Sequence, residues 1–253
     1  MEERMRLDRF LSVCVEGTRT QFRDMIRSGR VQVDAETVRD PGTKVDAGSA
    51  QVCLDGRMLV YKRFRTLMLN KPAGVLTAAR DRKQKTVMDL FPALMAQVGC
   101  MPAGRLDKDT TGLLIVTSDG NLAHRIISPS WETGKVYEAR VTGKATPECI
   151  RKLESGMHVA DADGEFDALP AQAKILEAGE TESIVRLAIC EGRYHQVKRM
   201  LFACGHPVTA LRRLAIGGVW LDPGLPEGGW REMTQEEVFR LSMPACLFEE
   251  ERN

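Results

Sequence analysis

The chain has 253 residues, with 36 Lys plus Arg against 35 Asp plus Glu, a net charge of +1, and 43% hydrophobic content. Those values fit one large or two smaller globular domains and exclude a wholly disordered or fibrous chain. No apolar run approaches the roughly 18 residues of a membrane span, and residues 1–10 are charged with no secretory apolar region behind them. The seven cysteines, at 14, 53, 100, 149, 190, 204 and 246, are scattered and odd in number. The expectation is a cytoplasmic protein with reduced thiols, without a disulfide framework or structural zinc.

Leu7, Phe10 and Leu11 recur at helical spacing and predict a short first helix ending before Gly17. Thr18 can cap a second helix running from Thr20 to Ser28 and stopped by Gly29, with Phe22 and Ile26 on its apolar side. Arg19, Arg23 and Arg27 fall four apart on the other face, and Arg30 follows just past the end. A solvated helix face is the plain alternative. Four arginines within twelve residues, beside a helix-turn-helix-strand unit, favour phosphate binding, because guanidinium forks engage phosphate oxygens in pairs. Alternation in Val31-Gln32-Val33, then at Val38 and from Val52 to Leu54, predicts short strands.

A basic join at Lys62, Arg63 and Arg65 leads into an apolar strand, Thr66-Leu67-Met68-Leu69. The expected organisation is a small domain over 1–60, a linker over 61–66, a second domain over 67–246, and a flexible tail over 247–253. In the second domain strands are expected at 113–116, 135–141 and 183–190, and helices at 122–127, 147–153 and 195–204. Residues 227–253 carry seven acids and three bases, a poor phosphate-binding end.

Two segments concentrate chemistry. Ala103-Gly104-Arg105-Leu106-Asp107-Lys108-Asp109-Thr110-Thr111-Gly112 packs two carboxylates, two bases and two hydroxyls into a turn entering a buried strand. The strand gives rigidity and the turn gives access. A turn-capping role for Asp107 or Asp109 is the alternative. Glu191-Gly192-Arg193-Tyr194-His195-Gln196-Val197-Lys198-Arg199-Met200 joins a strand to a helix and sets Arg193, His195, Lys198 and Arg199 at one junction, suited to a polyanion or to an active-site acid. A structural hydrogen bond from His195 is the alternative there. Lys135 and Tyr137, two apart on a strand, face one side; Tyr137 either stacks on a base, donates through its hydroxyl, or fills a core. Gly217-Gly218 lacks the pattern of a nucleotide phosphate loop.

The order and joint presence of Met68-Leu69-Asn70-Lys71-Pro72, Gly104-Arg105-Leu106-Asp107 through Thr110-Thr111-Gly112-Leu113, Gly192 through Met200, and Leu211-x-Arg213-x-x-Ile216-Gly217 resemble the bacterial ribosomal small-subunit pseudouridine synthases, over about residues 5–243. The N-terminal part is similar to the alpha-L RNA-binding domain also found in a small-subunit ribosomal protein. The resemblance implies an α+β protein: an alpha-L RNA-binding domain, then a mixed, mostly antiparallel β-sheet catalytic domain. It implies isomerisation of uridine to pseudouridine without organic cofactor or metal, Asp107 matching the essential aspartate, Tyr137 the active-site tyrosine and Lys198 the basic position near the aspartate. The substrate-binding set expected around them is Arg19, Arg23, Arg27, Arg30, Lys71, Arg105, Arg193, His195, Gln196, Arg199 and Arg213. The expected partner is 16S ribosomal RNA in an assembly intermediate, bound by a monomer away from membranes. The absence of a long basic C-terminal extension favours that choice over 23S RNA. A non-catalytic assembly factor is disfavoured by the presence of Asp107, Tyr137 and Lys198 together.

Overall fold

The computed structural model describes residues 4–128, 131 and 133–243, and the expected tail at 247–253 lies outside them. The chain divides into two units: Met1–Arg65 with Phe91–Cys100, and Thr66–Leu90 with Met101–Asn253. Among the described residues no helix is long and apolar enough to cross a membrane.

The first unit follows its sequence periodicity closely. Helices span Leu7–Cys14 and Arg19–Arg27, and Thr18 with Gln21 forms a reciprocal capping box at the start of the second. Leu7, Phe10, Leu11, Phe22 and Ile26 are almost wholly buried and close a core with Val31, Val45 and Val52. Short strands at Val31–Val33, Glu36–Thr37, Val52–Leu54 and Arg57–Met58 form a small sheet. Arg4–Arg6 pairs separately with Lys44–Asp46. The helix Ala93–Gln97 belongs here too, although the sequence reading assigned its residues to the second domain. The reason is polar: Gln97 Nε2 donates to the carbonyls of Ser12 (2.7 Å) and Val15 (3.0 Å), and Gln97 Oε1 accepts from the Gly17 amide (3.1 Å). One side chain therefore serves the C-terminal end of the first helix, where backbone groups lack intrahelical partners.

The second unit is built on a nine-stranded sheet. Its strands run in the spatial order Gln172–Ala178, Glu182–Ile189, Lys135–Thr142, Val208–Ile216, Thr111–Thr117, Thr66–Lys71 and Trp230–Glu232, with two short strands paired at the side. Pairing is antiparallel except between Val208–Ile216 and Thr111–Thr117, where Arg212 and Arg213 lie beside Thr111 and Gly112. The expected α+β class with a mixed, mostly antiparallel sheet is what the chain adopts. Leu113 to Val116 are all fully buried, which explains their unbroken apolar run. The helix Gly120–Ile127, capped by Asp119, lays Leu122 and Ile126 against the sheet core of Met68, Leu113, Ile115 and Ile216.

The parallel crossing fixes one glycine. Gly112 has φ +99°, and a Cβ there would lie 2.2 Å from the Arg213 carbonyl oxygen and 2.9 Å from its nitrogen. Gly112→Ala is expected to destabilise this unit by about 3 kcal/mol or more through strain and backbone clash. Thermal melting should fall by roughly 6–12 °C. An unchanged melting temperature would refute the close approach.

Candidate active site

Asp107 follows buried Leu106 in a turn whose Thr110 amide donates to the Asp107 carbonyl at 3.2 Å. Two side chains hold this turn from beneath. Thr77 Oγ1 donates to the Leu106 carbonyl (2.7 Å) and accepts from the Leu106 amide (3.2 Å). Lys71 is fully buried, and its Nζ lies within hydrogen-bond reach of four carbonyls: Pro72 (3.0 Å), Asp107 (3.1 Å), Lys108 (3.3 Å) and Thr110 (3.0 Å). An ammonium has three N–H donors, so all of them are spent on these backbone carbonyls, three of the four belonging to the turn. Burial pushes the Lys71 pKa down to about 8, against the pull of Asp109 and Asp107, so at pH 7 the ammonium is still the major form.

The Asp107 carboxylate, about a third exposed, sits between two partners. His195 Nε2 lies 3.4 Å from Oδ1 and Lys198 Nζ lies 3.2 Å from Oδ2. Lys198 also binds Asp109 Oδ1 at 2.6 Å. That hydrogen bond holds the Asp109 carboxyl below its usual range. Burial works to lower the Lys198 pKa, but the two carboxylates outweigh it and raise the ammonium above its ordinary value. Lys198 is therefore a fixed positive charge at neutral pH.

Tyr137 and Arg213 are cross-strand neighbours, next to a register shift between Val136 and Tyr137. The Arg213 guanidinium is almost wholly buried, with Nε donating to the Leu113 carbonyl (2.8 Å) and Nη1 3.5 Å from the Tyr137 hydroxyl. Its Nη2 is buried with no acceptor among the described residues. Lys135, two residues before Tyr137, donates to the Thr133 carbonyl at 2.9 Å, and burial, reinforced by Arg213, lowers its pKa to about 8. Asp107, Tyr137, Lys135, Arg213 and His195 border one cavity of about 830 Å³, a size that takes a small ligand.

Arg105, Arg193 and Gln196 border the same cavity. Gln196, however, is spent on its own loop: Oε1 accepts from the Arg193 amide (2.9 Å) and Nε2 donates to Glu191 Oε1 (2.5 Å). Two of the expected substrate contacts are structural instead. Lys71 is buried under the turn, and Arg199 is turned to the hairpin of Met157–Asp161 and Gly164–Ala168, donating to Asp161 (2.7 Å) and the Gly164 carbonyl (2.7 Å). In the first unit, Arg19, Arg23 and Arg27 are all exposed on their helix, while Arg30 is engaged by both oxygens of Asp55 at 2.9 and 2.6 Å. Arg23 shares Asp8 at 3.5 Å, although Asp8 mainly pairs with Arg6. Thr77, Glu191 and Tyr194 were not singled out in the sequence. The first acts on a segment 29 residues away, and no local pattern reveals such a contact.

Residues 65–203 match the model of the RNA pseudouridylate synthase family, and residues 5–50 match the S4 domain. An uncharacterized RNA pseudouridine synthase of Bacillus subtilis is 40% identical, over 95% of this chain and 99% of that protein. The ribosomal small subunit pseudouridine synthase A of Vibrio parahaemolyticus is 39% identical (92% and 98% covered), and the ribosomal large subunit pseudouridine synthase B of Bacillus subtilis 37% (93% and 95%). A crystal structure of a pseudouridylate synthase superposes with a TM-score of 0.65 at 33% identity, covering 94% of this chain and 99% of that one. Matching the synthase model over residues 65–203 and synthases across nearly their whole length, the chain belongs to the RNA pseudouridylate synthase family, with an S4 domain at its N-terminal end.

Proposed function

We propose that this synthase converts a uridine of 16S ribosomal RNA to pseudouridine, acting as a monomer in the cytoplasm on an assembly intermediate, with Asp107, Tyr137 and Lys198 as its catalytic residues. The observation that carries the residue assignment is the Asp107 carboxylate, bracketed by His195 and Lys198 at the wall of a cavity roomy enough for a nucleoside. The 16S choice is supported by small-subunit relatives at 37–39% identity over nearly their whole length. A large-subunit relative at 37% keeps 23S RNA as the rival substrate.

The reaction breaks the bond from ribose carbon 1 to base nitrogen 1 and makes a bond from that carbon to base carbon 5. The proton on carbon 5 leaves and nitrogen 1 gains one, so atoms and oxidation level are conserved. The protein must hold both fragments while the base turns, and positioning carries much of the work. Asp107 acts as nucleophile or as stabiliser of a ribose intermediate, and Lys198, 3.2 Å away, orients its carboxylate. Tyr137 packs against the detached base and assists the final removal of a proton. A paired target must first leave its helix, at a cost of a few kcal/mol. Mapping pseudouridines in ribosomal RNA from cells with and without the gene tests the proposal. A modification missing only from 23S RNA would reject the 16S assignment.

The exposed arginine face of Arg19–Arg27 serves to grip RNA. Replacing Arg19, Arg23 and Arg27 with Gln keeps long, helix-compatible side chains. If each contacts one phosphate, the slope of log affinity against log salt should shrink by about 2–3 units. Turnover of bound RNA at saturation should change far less. An unchanged slope in a folded variant would mean a merely solvated face.

A further inference from the structure

The Tyr194 ring is 62% exposed and stacks on the His195 ring, with centroids 3.8 Å apart and planes 22° apart. Exposed tyrosines are common on protein surfaces, but this one is held in place at some cost. His195 adopts a left-handed conformation, φ 50° and ψ 26°, which is unfavourable for a residue with a Cβ. Buried Glu191 and Gln196 fasten the loop on both sides of the pair. Glu191 accepts from the Leu169 amide (2.8 Å) and from Gln196 (2.5 Å), and Gln196 holds the Arg193 amide (2.9 Å). Both rings border the cavity, and His195 Nε2 is 3.4 Å from the Asp107 carboxylate. A rigid aromatic pair thus runs from Asp107 outward, with the exposed ring at its far end.

We propose that Tyr194 is a stacking platform for a nucleobase adjacent to the target uridine, a subsite distinct from the position of the reacting base. The inference rests on the reading of this cavity as the uridine site. Drawing one nucleotide out of an RNA strand removes a stacking partner from its neighbour. An aromatic face beside the cavity mouth replaces that partner and sets the strand's path relative to Asp107. Ring faces accept any base, so the platform positions the strand rather than reading its sequence. Because His195 already backs the ring, little side-chain freedom is lost on binding.

The test uses an RNA fragment that the full-length protein converts, together with two versions that lack the base on the 5′ or the 3′ side of the target. Tyr194→Ala should weaken binding of intact RNA by about 5- to 150-fold, the range of one base-aromatic stack. Tyr194→Phe, which keeps the ring, should restore binding. One of the two abasic RNAs should bind the wild type as weakly as intact RNA binds Tyr194→Ala, and Tyr194→Ala should bind that RNA no more weakly still. Wild-type affinity in Tyr194→Ala, or losses that simply add for both abasic RNAs, overturns the platform. If mapping moves the target to 23S RNA, only the fragment changes and the coupling is read in the same way. If the wild type converts no RNA, the underlying functional reading fails and the platform falls with it.

Discussion

Asp107→Asn is expected to lower the single-turnover rate by at least about a thousandfold, while RNA binding stays within a few fold. The substitution keeps side-chain volume and removes both the negative charge and the nucleophilic oxygen. It should not dismantle its surroundings, because Lys198 retains its closer partner, Asp109, at 2.6 Å against 3.2 Å for Asp107. The turn itself is held through backbone carbonyls by Lys71 and through Leu106 by Thr77, and neither touches the Asp107 carboxylate. Asp109→Asn is the matched comparison. It removes a carboxylate that is three-quarters exposed and leaves Lys198 to Asp107 alone. Its effect should be at most about tenfold, since screened, exposed pairs contribute little. Near-normal turnover of purified Asp107→Asn, or equal losses in the two variants, would sink the assignment of the reacting carboxylate to Asp107.

The legibility of the chain follows how local each feature is. The arginine face and the buried Phe22–Ile26 side of the second helix are set by a period of 3.6 and could be read directly. The strands Thr66–Lys71 and Thr111–Thr117 were legible through the unbroken apolar runs Leu67–Leu69 and Leu113–Val116, which are buried on both faces. Val208–Ile216 was not: Arg212 and Arg213 break its apolar pattern, and Arg213, expected from the sequence to bind substrate, is buried through contacts with Leu113 and Tyr137, 100 and 76 residues away. The hairpin at Met157–Asp161 and Gly164–Ala168 is short and mostly exposed, and its buried Val159, Phe166 and Ala168 form too brief an alternation to stand out. Site residues divide in the same way. Asp107, Tyr137 and Lys198 came from motif resemblance, and the fold brings Asp107 and Lys198 together across 91 positions of sequence. Lys71 and Arg199 stand in the same motifs and look alike as cations, but only three-dimensional packing shows what their charge is spent on.

Lys71→Met should separate catalysis from stability. Methionine preserves the buried stem and deletes the ammonium. Two energies then oppose each other. Relief of a buried charge stabilises: depression of the pKa from 10.5 to about 8 amounts to roughly 3 kcal/mol against the charged form. Loss of donors destabilises, chiefly at Pro72 and Thr110, because the Asp107 and Lys108 carbonyls also accept the Thr110 and Gly74 amides. At about 1–3 kcal/mol for each carbonyl left without its partner, that loss is of the same size. The melting temperature should therefore move by only a few degrees in either direction, whereas displacement of the Asp107 turn should cut the single-turnover rate about 100-fold. The pH response gives a second reading with opposite signs. The folded pKa lies below the unfolded one, so unfolding takes up a proton between about pH 8 and 10.5, and this group makes the wild type more stable as pH rises through that window. Over the same rise the neutral amine keeps only two donors for four carbonyls, so the turn loosens and the Thr110 amide should lose protection relative to its base-catalysed intrinsic exchange. In Lys71→Met that loss of protection should be independent of pH, and the stability trend should shrink to what Lys135, also depressed to about 8, contributes. A variant with wild-type rate and wild-type exchange at Thr110 would show that the buried lysine does not position Asp107.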